Sequence, residues 1–93
     1  MRTLGKVQRE VLWCLVSHGS WSERAGWHWA GVVSTARHME ALVKRSLAEV
    51  TEEERTFGAW PRSRYTVRVY RPTGAARAAL TALGMRLPPT PAL

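Results

Sequence analysis

The run from Ser34 to Leu47 constrains this chain more than any other segment. Thr35, Met39 and Leu42 fall at i, i+4 and i+7, so a helix over 34–45 can bury one narrow seam. Arg37, His38, Ala41 and Lys44 fall largely off that seam, with Ser34 near the helix N-terminus. They form a polar face of modest bulk, of a size to enter a DNA major groove. Arg45-Ser46-Leu47 closes the helix, and the strand pattern Leu47 to Thr51 starts at once.

Around this run the chain divides into short elements. Leu4, Val7, Val11, Cys14 and Leu15 form an amphipathic stripe, which predicts a helix over 4–16 capped by Thr3 and ended at Gly19. Trp21 to Gly31 has no sustained period and holds an internal glycine. If a helix forms here at all, it is short or irregular, over Ser22 to Ala25 or Trp29 to Val32, with Trp21, Trp27 and Trp29 packing the segment down. Glu52 to Arg64 reads as a loop, with Gly58, Pro61 and Ser63 as breakers. Tyr65 to Arg71 alternates and is rich in β-branched and aromatic residues, as a strand should be. Thr73 caps a last helix over 74–83 that uses Ala76, Leu80 and Leu83 and ends at Gly84. The prolines from Leu87 to Leu93 predict a mobile tail after a domain over 1–86.

Two stretches resemble winged helix-turn-helix proteins. Arg45-Ser46-Leu47 is similar to the "Arg-Gly-Leu" that ends the recognition helix, with Ser46 where Gly is usual. Tyr70-Arg71-Pro72-Thr73-Gly74-Ala75-Ala76-Arg77-Ala78-Ala79-Leu80 resembles the exit "Tyr-Arg-Leu-Thr-x-x-Gly-Arg-x-x-Leu" that follows the wing in many bacterial and phage regulators. Pro72 and Ala76 depart from that pattern. The resemblance spans roughly Thr3 to Leu83 and implies an α+β winged helix-turn-helix domain, with three or four helices and a two-stranded β-hairpin wing over 47–71. It also implies double-stranded DNA binding and transcriptional control, with helix 34–45 in the major groove. One conflict stands in the second strand. Alternation puts Tyr65, Val67 and Val69 on the apolar face, whereas the family register puts Tyr70 and position 72 inward; a bulge near Val69 would reconcile the two.

Composition favours a polyanionic partner, nucleic acid first, and charge alone does not separate DNA, RNA and an acidic lipid surface. Ninety-three residues make one domain, and 14 Lys plus Arg against 7 acidic residues leave a net charge of +7. An apolar fraction of 45%, including five Trp, suits a globular core. The single cysteine, Cys14, excludes an internal disulfide and a cysteine metal cluster. No stretch approaches a membrane span or a signal peptide, so a cytoplasmic, nucleoid-associated protein is expected. His18, His28 and His38 lack acidic or cysteine partners at ligand spacing, so no metal site is expected. Without a nucleophile motif or a Gly-rich phosphate loop, no enzyme and no cofactor are expected.

Arg37 is the first candidate for a base contact, reaching guanine O6 and N7 in two hydrogen bonds. His38 suits a base or a phosphate, and Ser34 a phosphate. Glu40 would repel phosphate unless it pairs with Lys44 or accepts from cytosine N4. The alternative for all of them is a solvated helix face. Arg55, Arg62, Arg64, Arg68, Arg71 and Arg77 form a second basic group with no acid inside it, and Arg62, Arg64 and Arg68 are the expected wing contacts to DNA. Glu52, Glu53 and Glu54 count against the base of that loop touching DNA; they either pair with nearby arginines or mark where the wing leaves the duplex. Trp27-His28-Trp29 suits a core role better than a stacking platform or ligand pocket. A different class of function is a protein-interaction module that binds a host factor through the Trp-rich segment 21–29. A homodimer through helix 4–16 or 74–83 is a further option that the sequence leaves open.

Overall fold

A computed structural model describes residues 4–58 and 63–87. It is a small α+β domain: helix α1 (Lys6–His18), helix α2 (Val32–Lys44), strand β1 (Ala48–Phe57), strand β2 (Ser63–Pro72) and helix α3 (Gly74–Ala82). β1 and β2 form one antiparallel hairpin, and the three helices gather at its Ala48–Pro72 end. No helix of the described residues is long and apolar enough to cross a membrane.

The core follows from the helical stripes. α1 buries Val11, Leu12, Leu15 and Val16, α2 buries Thr35, Met39 and Leu42, and α3 buries Ala76 and Leu80. Leu4, Trp21, Leu47, Ala48 and Tyr70 complete the cluster. Each large apolar side chain taken fully from water contributes about 1.5–3 kcal/mol before entropy is set against it. Val7, expected on the buried stripe of α1, is 40% exposed, because the helix rolls to bury Leu12 and Val16 instead.

Several boundaries differ from expectation. α1 begins at Lys6 with Gly5 at its N-cap position, while Thr3 lies outside the described residues. Gly19 closes it as expected, at φ 88 with its N–H on the Leu15 carbonyl. No second helix exists between α1 and α2: Ser22–Ala25 makes a single turn, and of Trp29–Val32 the first three residues are bend and Val32 already opens α2. α2 starts two residues earlier than its apolar seam suggested. Thr73 is the N-cap residue of α3 as expected, but its hydroxyl makes no cap hydrogen bond and donates to the Ser46 carbonyl at 2.8 Å.

The largest correction is the hairpin. Glu52 to Phe57 is strand, paired residue for residue with Ser63 to Arg68. Three consecutive glutamates are poor strand formers by themselves. Here the partner strand supplies arginines that offset their charge. The register runs unbroken from Ala48↔Pro72 to Phe57↔Ser63, so no bulge forms near Val69. Val69 and Tyr70 are both buried, on opposite faces of the strand. Tyr70 and Ala48 lie on the core side, while Tyr65 and Val67, on the Val69 face, are half-buried.

Candidate nucleic-acid interface

α2 is fixed at both ends. Gly31 takes φ 98 at its start, a conformation that side chains disfavour. Thr35, fully buried, accepts from the Trp29 N–H at 2.6 Å and donates to the Gly31 carbonyl at 2.7 Å. At the other end Ser46 adopts φ 60, and the Leu47 N–H reaches back to the Leu42 carbonyl at 3.0 Å. This closure seats Leu47 on Leu42 in the core and turns the chain straight into β1.

With the seam of Thr35, Met39 and Leu42 buried, Val33, Arg37, Glu40 and Lys44 are exposed at i, i+4, i+7 and i+11. A shallow, largely apolar groove lies along this face, bordered by Val32, Ala36 and Ala41 as well as by Glu23 from the irregular segment. Arg37, Ala41 and Lys44 are therefore brought together as expected. Ser34 and His38 are half-buried and do not line the groove. Among the described residues neither Arg37 nor Lys44 is held by an ion pair or a side-chain hydrogen bond.

Glu40 has partners that its position on the helix does not foretell. The Tyr70 hydroxyl donates to its Oε1, and Arg68 Nη1 lies 3.8 Å from the same oxygen. No ion pair joins Glu40 to Lys44. Burial, then the Glu40 bond, raises the Tyr70 phenol to a pKa of about 12. Arg68 is thus drawn toward α2, so that the hairpin and the helix border one surface.

The rest of the hairpin is less basic than its second strand alone suggests. Arg64 pairs with Glu54 at 3.3 Å, and Arg55 and Arg71 converge on Glu53 at 2.9 and 2.8 Å. The Arg71 hydrogen bond, more than any other influence, holds the Glu53 carboxyl below its ordinary range. A basic strand laid against an acidic one produces this cancellation, as expected if the glutamates pair with nearby arginines, and the register decides which arginines they meet. Arg62 lies outside the described residues.

The tryptophans of the irregular segment turn inward. Trp21 is 1% exposed, and its indole N–H donates to the Trp27 carbonyl and to His28 Nδ1. Trp27 stacks on His18 at 4.7 Å and donates to the Ser20 carbonyl, and Trp29 packs against the core. Sequence analysis missed Val32, Val33 and Glu23. Val33 sits one helical repeat before Arg37, so starting the helix at Gly31 would have placed it; nothing in the pattern places Glu23. No family model matches the chain, and no curated protein or solved structure does.

Proposed function

We propose that this chain is a small double-stranded DNA-binding protein of winged-helix type, acting as a transcriptional regulator. In this reading α2 lies in the major groove and the β1–β2 hairpin is the wing. The observation that carries it is the outer face of α2: exposed along its length, it holds Arg37 and Lys44 without partners among the described residues, in a chain of net charge +7. Ala36, Ala41 and Val33 keep the face low enough for close approach and suit thymine methyl groups. The element order and the Arg68–Glu40 contact, which brings the hairpin beside the helix, support the same reading.

The test is selection of bound duplexes from a random pool, followed by a salt series on the winner and a scrambled duplex. A sequence-specific regulator yields a motif preferred by ~10³ or more that persists in salt. Equal affinities that vanish together as salt rises would reduce the binding to generic charge and defeat the proposal.

A second reading, a protein-interaction module, is favoured by one observation. Val33 is 69% exposed and Val32 37% exposed on the same groove. This moves the docking surface from the tryptophans of segment 21–29 to α2.

A further inference from the structure

Resting on the DNA-binding reading, we propose that Glu40 determines specificity and selects duplexes with a cytosine at one fixed position. Glu40 stands in the middle of the outer face of α2, three residues after Arg37 and four before Lys44. A mobile carboxylate there would only oppose phosphate. This one is held: Tyr70 donates to Oε1, and Arg68 approaches the same oxygen at 3.8 Å. Tyr70 is itself fixed, 3% exposed, with its ring 5.8 Å from the buried Trp21 ring. Both contacts fall on Oε1, and among the described residues Oε2 accepts no hydrogen bond. The Glu40 side chain is 48% exposed, so a partner can reach it. An acceptor oriented in advance loses little freedom on binding.

The chemistry of the major groove narrows what Oε2 can accept. Only cytosine N4 and adenine N6 offer N–H donors there. Adenine N6 sits beside the N7 acceptor, which repels a carboxylate, whereas cytosine N4 has no acceptor next to it on its own base. Phosphate and guanine O6 and N7 are acceptors and are refused. Arg37 precedes Glu40 by about 4.5 Å along the helix axis, against a base step of about 3.4 Å. Its guanidinium can therefore take guanine on the same or a neighbouring base pair, and Tyr70 and Arg68 act as positioning residues for Glu40.

The experiment is duplex selection with the full chain as wild type, Glu40→Gln and Tyr70→Phe, at one salt concentration, with thermal melts to show that each is folded. The wild type should give a motif with one position dominated by cytosine. Glu40→Gln should move that position to adenine, because an amide both accepts from N6 and donates to N7. Tyr70→Phe should keep cytosine but weaken its preference by about fivefold, the loss of one orienting hydrogen bond. A wild-type motif that Glu40→Gln leaves unchanged, or binds more tightly at all sequences alike, overturns this inference and leaves the DNA reading intact. No motif from the wild type removes that reading and this inference with it.

Discussion

Trp21 and Tyr70 exchange both backbone hydrogen bonds, each at 2.8 Å, and their rings lie 5.8 Å apart. One residue of the irregular segment thereby pairs with the free edge of β2 where that strand enters the core. The pairing, together with the indole bonds to Trp27 and His28, holds α2 in place without a second helix behind it. Trp21→Ala should cost ~3–5 kcal/mol, the range for emptying a buried aromatic site. Trp21→Phe should cost less, since it keeps a ring and loses only the indole bonds and some volume. Denaturant unfolding followed by circular dichroism separates the two; equal, small costs would show that the bridge does not brace the fold.

Ser46 closes α2 in the left-handed region at φ 60, where a side chain is disfavoured. It is exposed, so its replacement removes no packing. Ser46→Gly should therefore stabilise the domain by about 1 kcal/mol and raise Tm by several degrees. An unchanged or lower Tm would mean that the entropy glycine loses on folding cancels the relief of strain.

Legibility in the sequence followed the range of the interactions. The stripes of α1, α2 and α3 are periodic and local, and they marked Val11, Leu15, Met39, Leu42, Ala76 and Leu80 as apolar faces, all of which are buried. The outer cluster of Arg37, Ala41 and Lys44 followed from the same periodicity. Glu52 to Phe57 could not be read as strand from its own residues, since what supports it is pairing with arginines on the other strand, Glu54 with Arg64 and Glu53 with Arg71. The Tyr70–Glu40 bond, across a separation of 30 residues, leaves no local pattern at all. The conflict over the inner face of β2 came from assuming that one face only is buried; Val69 and Tyr70 are both covered.

The Tyr70 phenol sets a pH dependence. Burial first, and the Glu40 bond second, raise its pKa from 10.0 to about 12 in the folded chain. The stability tied to the protonated phenol is fully present below pH 10 and is lost as pH rises toward 12. Tyr70→Phe should flatten this alkaline slope, as measured by urea midpoints across that window. A slope of the same size in the variant would assign the loss to other groups.

Arg37 and Lys44 share a face but should differ in role. Arg37→Ala should relax preference at one base position by ~1–3 kcal/mol. Lys44→Ala should weaken all duplexes alike and reduce the salt slope by about one. Binding of the selected and scrambled duplexes over a salt series reads both quantities. If neither variant changes either one, α2 does not face DNA.

The hairpin glutamates restrain the charge of the second strand. Glu53 holds Arg55 and Arg71, and Glu54 holds Arg64, all with side chains substantially in solvent, where ion pairs are screened and contribute little to stability. Glu53→Gln with Glu54→Gln should therefore leave the hairpin folded and release three guanidinium groups. If the hairpin lies along phosphates, affinity for every duplex should rise and the salt slope should steepen by at most about three. Arg64→Ala in the otherwise native chain should instead lower affinity, because it removes a cation and also frees Glu54 to oppose phosphate. Unchanged affinity and slope in the double glutamine variant would remove the hairpin from the interface and leave α2 as the sole contact, a surface small enough to need a second copy of the chain for tight binding.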